Sequence, residues 1–142
     1  MRSRKWNVVT QLPDFASEAP RAYHAVVYCD SFLYFIGGYD GNNYYDKVRR
    51  YHVDQRVWSN CSRMYKRRCY VSAAYLDGGI YACGGLDGHL RLKCAERYDI
   101  ETNSWTQLPD MLQSRSDASC SAYNGIFSIS PTTRPILLTL TN

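Results

Sequence analysis

The sequence lacks long apolar runs, and no stretch approaches the roughly 18 consecutive apolar residues that indicate a membrane-spanning helix. Its first eleven residues, MRSRKWNVVTQ, carry basic side chains but not the apolar run of a secretory signal peptide. We therefore expect a cytoplasmic protein without a membrane partner.

Motifs for metal binding and catalysis are also missing. None of the six cysteines forms a C-x-x-C pair, and the histidines, His24, His52 and His89, show no ligand spacing. The sequence contains neither paired carboxylates nor a nucleophile elbow. We expect free thiols that pack as small apolar side chains, with no metal, no cofactor and no enzymatic activity.

A strong excess of one charge is absent as well. The net charge is +4, which permits an acidic partner but is too small to indicate nucleic acid. Charged residues make up 21% and hydrophobic residues 45% of the 142 residues, a composition typical of one globular domain.

What the sequence does contain is an internal repeat. YFIGGYDG at 34–41 returns 47 residues later as YACGGLDG at 81–88. A period near 50 residues indicates an array of identical structural units. The same interval separates Tyr51 from Tyr98 and Trp58 from Trp105, and it occurs twice among three arginines, from Arg21 to Arg68 and from Arg68 to Arg115.

Each unit divides into four short strand candidates bounded by turn residues. Four antiparallel strands repeated around an axis form a β-propeller. In the first unit the candidates are Tyr23–Cys29, Phe32–Ile36, Lys47–Val53 and Val57–Cys61, and in the second they are Tyr70–Leu76, Ile80–Cys83, Cys94–Asp99 and Ser104–Leu108. Single candidates lie outside the two units, at Trp6–Thr10, Ala118–Tyr123 and Ile126–Ile129.

The sequence therefore predicts an all-β, incomplete propeller with about two full four-stranded blades and partial blades at both ends. Because open inter-blade faces and strand edges stay exposed in such an arc, we expect marginal stability of the isolated chain. The predicted units are 1–11 (last strand of a preceding blade), 12–61 and 62–109 (full blades), 110–130 (start of a third blade) and 131–142 (divergent tail).

The repeated residues themselves are expected to be structural. Glycine doublets allow a sharp turn and close backbone approach between blades, and large rings fill the layer between blades. This structural set contains Gly37, Gly38, Tyr51, Trp58, Gly84, Gly85, Tyr98 and Trp105.

The glycine doublet, the Tyr-x6-Trp pair and the single arginine before each first strand resemble the kelch repeat. The stretches RAYH, RRCYVS, DGHLRLKCAERYDIETNSW and QSRSDAS are similar to the kelch-like family of BTB–BACK–kelch proteins. The resemblance covers about residues 5–129, and it ends where a third glycine doublet is replaced by Pro131 and Thr132.

The resemblance implies a protein-interaction module, the substrate-recognition propeller of a cullin-type ubiquitin ligase adaptor. A cullin would be reached only through a BTB domain, which this sequence does not contain. An actin-binding cytoskeletal scaffold is the alternative. A third class, the kelch-type propellers that oxidise sugar alcohols with copper, has ligands that these histidine positions do not match.

Strand alternation places the long loops after the second and fourth strands of each blade at the same end, and recognition usually lies on such loops. Arginine and tyrosine there favour a protein or peptide partner that carries acidic groups. The alternative is that the arginines hydrogen-bond loop carbonyls. The candidate partner-binding residues are Arg21, Arg67, Arg68, Arg115, Tyr39, Tyr44, Tyr65, His89 and Arg91, and the resemblance places Arg21, Arg68 and Arg115 where kelch-like proteins often hold ligands.

Overall fold

The computed structural model describes residues 20–130, and all regular secondary structure in this range is β-strand. The first four strands form an antiparallel sheet in the order β1-β2-β3-β4, which we call blade 1. Their bounds are Ala25–Cys29 for β1, Phe32–Ile36 for β2, Val48–His52 for β3 and Val57–Cys61 for β4.

Blade 2 repeats this arrangement, and its antiparallel sheet runs in the order β10-β9-β6-β5. A two-stranded hairpin, β7 and β8, is inserted between β6 and β9. The bounds are Ser72–Leu76 for β5, Gly79–Cys83 for β6, Leu86–Asp87 for β7, Leu90–Arg91 for β8, Ala95–Asp99 for β9 and Ser104–Leu108 for β10.

Among the described residues, a third sheet consists of two strands, β11 at Ser119–Tyr123 and β12 at Ile126–Ser130. These sheets confirm the predicted all-β fold with two four-stranded blades and a partial blade. The predicted strand at Trp6–Thr10 and the tail at 131–142 lie outside the described residues. Within residues 20–130, no helix is present that could cross a lipid bilayer.

Tight turns set the register of the first two strands in each blade. Asp77 and Gly78 have φ values of 46° and 74°, and Asn124 and Gly125 have 49° and 73°. Two successive positive φ angles are the signature of a type I′ turn, whose twist matches that of a β-hairpin. Register matters here because a one-residue slip would turn every buried side chain to the wrong face.

Large rings from blade 2 fill the space between the two blades. Tyr98 and Trp105 lie opposite each other on β9 and β10, with their ring centroids 5.1 Å apart. The Tyr98 ring also approaches Tyr34 of blade 1 at 6.0 Å, and the indole N–H of Trp105 donates to the carbonyl of Ser62 at 2.9 Å. The buried residues of this core are Val27, Cys29, Tyr34, Ile36, Val48, Met64, Val71, Ile80, Ala82, Tyr98 and Trp105.

The glycine doublets lie where one unit touches the next. The Gly38 N–H donates to the Arg68 carbonyl at 2.9 Å, and the Gly85 N–H donates to the Arg115 carbonyl at 2.7 Å. A Cβ atom at Gly37 would clash with that same Arg68 carbonyl oxygen. The doublets are therefore the points of closest backbone approach between consecutive units.

Candidate partner-binding face

The loops after β2, β4, β6 and β10 lie at one end of the blades, which we call the loop face. In blade 1, Tyr39 in the loop after β2 forms two β-bridges, one with Ala22 before β1 and one with Tyr44 in the same loop. The N–H groups of Asn42 and Asn43 donate to the Asp40 carboxylate at 2.8 and 2.7 Å. The loop is thus ordered by its own hydrogen bonds.

Asp40 is occupied by that same network. Its carboxylate also accepts a hydrogen bond from the Tyr45 hydroxyl. This bond, together with the two backbone N–H groups, holds the pKa of Asp40 well below its usual range. The carboxylate stays ionised at neutral pH and shapes the loop.

An aromatic pair connects the loops of the two blades. The rings of Tyr39 and Tyr44 have centroids 4.6 Å apart, and the Tyr44 hydroxyl donates to the carbonyl of Gly88 in blade 2 at 3.2 Å. Burial, with a smaller contribution from neighbouring Tyr39, raises the pKa of Tyr44. Two of the predicted partner-binding residues are therefore adjacent and bridge the blade boundary.

A second aromatic pair was not among the predicted site residues. Tyr23 and Tyr70 stack with centroids 4.2 Å apart and an interplanar angle of 25°. Both have left-handed backbone, with φ values of 60° and 49°, which is unusual for a bulky residue. The Tyr70 N–H donates to the Tyr23 carbonyl at 2.8 Å, so the two starts of β1 and β5 are tied together.

The contact with Tyr23 changes the acidity of Tyr70. A side-chain hydrogen bond with Tyr23 raises the pKa of Tyr70 to about 12. The 47-residue spacing of Tyr23 and Tyr70, in RAYH and RCYV, was the signal in the sequence that would have indicated this pair.

Basic side chains are exposed on the same loop face. The guanidinium group of Arg67 is largely exposed and lies 3.5 Å from the Asp87 carboxylate. Tyr65, His89 and Arg91 are also exposed on these loops. The structure therefore places these four predicted partner-binding residues on the surface.

Arg68 does not lie on this surface. Its side chain is buried, which corrects the prediction that it contacts a partner. Its side chain is 0% exposed and its Nη2 atom pairs with Glu96 Oε1 at 2.5 Å. Its Nη1 atom donates to the carbonyls of Gly84 at 2.7 Å and Cys94 at 3.2 Å. The alternative interpretation, an arginine that hydrogen-bonds loop carbonyls, describes Arg68, since no ligand can reach it.

Glu96 also hydrogen-bonds to the loop that precedes Arg68. Its carboxylate accepts the backbone N–H groups of Tyr65 at 2.7 Å and Lys66 at 3.1 Å. The Arg68–Glu96 pair therefore fixes the loop from which Tyr65 and Arg67 project.

The other two arginines of the repeat differ from Arg68 and from each other. The Arg21 guanidinium lies 3.8 Å from the centroid of the Tyr45 ring, a cation–π contact. Arg115 is 9% exposed, so the prediction that it offers its side chain to a partner is also corrected. Of the three, Arg21 alone is partly exposed.

The chemistry available on the loop face is that of recognition. It supplies stacked phenol rings, hydroxyl groups and guanidinium groups held by a rigid scaffold. Among residues 20–130, no group of His, Cys, Asp and Glu side chains is arranged to hold a metal ion, and the six cysteines are free thiols.

Comparison with known proteins agrees with this architecture. A solved structure titled "Structure of YjhT" superposes with a TM-score of 0.70 at 16% sequence identity, over 79% of this chain and 34% of that chain. The chain thus spans about a third of the length of this structural relative, and at such low identity the likeness concerns the fold. A family model described as Kelch motif matches residues 20–65 and 67–112, more than half of the sequence. The chain belongs to the kelch-repeat family.

Proposed function

We propose that this chain is a protein-interaction module that binds a protein or peptide partner on its loop face. Kelch repeats generally mediate protein–protein binding, and kelch propellers are generally not catalytic. The observation that carries the proposal is the aromatic surface of Tyr39, Tyr44, Tyr23 and Tyr70, which crosses the boundary between the blades. Rigid tyrosines bring large contact area at low entropic cost, which is why interfaces are enriched in them.

The charge around the rings supports a partner with acidic groups. Lys66, Arg67, His89 and Arg91 are exposed on the loops after β4 and β6, on the same face. Asp87 already lies near Arg67, at 3.5 Å, so an acidic ligand would compete with it for that guanidinium. Arginine binds carboxylates through two parallel hydrogen bonds, which adds direction to the attraction.

Within the kelch-repeat family we propose a substrate-recognition role in a cullin-type ubiquitin ligase adaptor in the cytoplasm. The support is the resemblance of the repeats to BTB–BACK–kelch proteins, and most of all to kelch-like protein ten, the male germ-cell member. Cullin contact would be indirect, through a BTB domain. Co-sedimentation of the chain with actin filaments would favour the cytoskeletal scaffold instead.

Affinity capture from cell extract with matched tyrosine variants tests the loop face. Tyr65 and Tyr28 are equally exposed, at 62% and 63%, but Tyr65 lies on the loop face and Tyr28 near the other end of β1. We expect Tyr65→Ala and Arg67→Ala to reduce captured partners at least tenfold, while Tyr28→Ala retains them. Equal capture by all three variants would show that the partner binds elsewhere.

A further inference from the structure

Two cysteines from different sheets meet in the core between blade 2 and the third sheet. Cys83, at the end of β6, is 5% exposed and belongs to this core, and Cys120, on β11, packs against it. Neither residue is part of the loop-face aromatic surface. The pair therefore calls for an explanation other than partner binding.

Strand alternation directs both side chains to this boundary, because successive residues of a strand point to opposite faces of the sheet. On β6, Ala82 packs in the core between blades 1 and 2, whereas its neighbour Cys83 packs in the core on the other side of the sheet. On β11, Cys120 and Ala122 are two residues apart and both pack toward blade 2. The two cysteines thus face the same space from opposite sides.

Hydrogen bonds fix the backbone close to both cysteines. Ser72 on β5 lies directly opposite Cys83 in the ladder, and its hydroxyl donates to the Ala118 carbonyl at 2.5 Å. The Gly85 N–H donates to the Arg115 carbonyl at 2.7 Å. Gly85 and Ala118 are each two residues from one of the cysteines, so the folded backbone sets the separation of the two side chains.

The two thiols also interact directly. The Cys83 thiol donates a hydrogen bond to the Cys120 sulfur, and this bond, together with burial, holds the pKa of Cys83 well above its usual range. Cys83 therefore stays protonated at neutral pH. Cys120 is partly exposed, so a small oxidant in solution reaches it first.

The internal repeat shows that the same two positions meet at the preceding boundary without sulfur. The residues 47 positions earlier are Ile36 and Ala73. Ile36 belongs to the core between blades 1 and 2, and Ala73 packs against it. The second boundary therefore differs from the first in carrying a thiol on each side.

We propose that Cys83 and Cys120 form a redox switch, in which hydrogen peroxide converts the two thiols to a disulfide that joins blade 2 to the third sheet. The Cys120 sulfur attacks the O–O bond of the peroxide and becomes a sulfenic acid, and one water leaves. The Cys83 sulfur then attacks the sulfenic sulfur, and its proton leaves with the hydroxyl group as a second water. The two electrons lost by the thiols reduce the peroxide.

The disulfide would stabilise the contact between blade 2 and the third sheet, because a crosslink constrains the unfolded chain. It would also restrict the loop after β10, which belongs to the loop face and ends just before Cys120. A dithiol such as dithiothreitol would reduce the bond and restore both thiols. The switch does not depend on the proposed partner-binding function.

Peptide mapping of the full chain tests the linkage. The chain is treated with hydrogen peroxide, free thiols are blocked with iodoacetamide, and chymotrypsin cuts after Tyr81 and Leu86, which separates Cys83 from Cys69. We expect mass spectrometry to find residues 82–86 linked to 113–123, with the loss of two hydrogen atoms. No linkage, a linkage of Cys83 to Cys94, or a linkage between two chains would overturn the proposal.

Thermal unfolding followed by circular dichroism tests the effect on stability. The peroxide-treated chain should melt about 10 °C above the reduced chain, and dithiothreitol should abolish the shift. Cys120→Ala should lose the shift but still fold, because alanine occupies the equivalent position at Ala73. Cys94→Ala is the control and should keep the shift, since the Cys94 sulfur instead accepts from Arg68 Nη2 at 3.3 Å. An equal shift in Cys120→Ala and the unchanged chain would overturn the switch.

Discussion

Neighbouring arginines show how one residue position decides between structure and recognition. The Arg67 side chain is 62% exposed and faces Asp87, whereas the Arg68 side chain is 0% exposed and pairs with Glu96. A buried charge that loses its partner is very unfavourable, while a surface pair contributes little. Variants at these two positions therefore report on different properties of the molecule.

Arg68→Ala should lower the free energy of unfolding by roughly 3–5 kcal/mol, because Glu96 would remain buried without its cation. Arg67→Ala should change the free energy of unfolding by less than about 0.5 kcal/mol, as is usual for a surface substitution. Urea unfolding followed by circular dichroism measures both. Similar losses for the two variants would contradict the buried pair.

The Tyr23–Tyr70 stack makes a prediction about pH. Because the pKa of Tyr70 is raised from 10.0 to about 12 in the folded chain, the protonated ring favours folding. This contribution is complete below pH 10 and is lost as the pH rises from 10 to about 12. Tyr23→Phe should return the pKa of Tyr70 towards 10, as measured by NMR titration of ring-labelled tyrosine, whereas Tyr75→Phe should leave it unchanged.

At the scale of elements, the glycine doublets join one blade to the next. Gly84 and Gly88 have nearly equal φ values, 63° and 66°. A Cβ atom at Gly84 would clash with the Arg115 carbonyl oxygen, but at Gly88 it would meet nothing within 4 Å. The two positions differ in blade contact and share the same backbone conformation.

Gly88→Ala should therefore lower the free energy of unfolding by about 1–2 kcal/mol, the usual cost of a left-handed residue. Gly84→Ala should lower it by about 1–3 kcal/mol more, because the next unit must move away. Thermal or urea unfolding of both variants gives the difference. Equal losses would mean that the doublet does not lie at a blade contact.

The strands show which part of the fold the repeat encodes. The predicted first-blade strands Phe32–Ile36 and Val57–Cys61 have the same bounds as β2 and β4. Their apolar runs and flanking turn residues are local signals. The hairpin of β7 and β8 was missed because two-residue strands inside a glycine-containing loop carry no periodic pattern.

The site was harder to predict than the fold. Burial of Arg68 depends on Glu96, which is 28 residues further along the chain. The residue 47 positions before Glu96 is Arg49, so the repeat itself does not specify this pairing. Long-range partners decide whether an arginine is buried or exposed, and spacing along the chain does not contain that information.

At the scale of the whole molecule, the described residues form two four-stranded blades, which are followed along the chain by the two-stranded sheet of β11 and β12. Each inter-blade core is shared by consecutive units, so stability should rise with the number of packed neighbours. We expect the isolated chain to be marginally stable, with a broad thermal transition by circular dichroism. A sharp, cooperative melt of a monomer would contradict this expectation.

The central claim is that consecutive four-stranded sheets pack side by side through the glycine doublets. Amide hydrogen exchange measured by NMR tests it most directly, because the Gly38 and Gly85 N–H groups donate to carbonyls of the next unit, those of Arg68 and Arg115. We predict that both amides exchange orders of magnitude more slowly than that of Gly41, which lies in an exposed loop. Exchange of Gly38 and Gly85 as fast as that of Gly41 would contradict the packing of the blades.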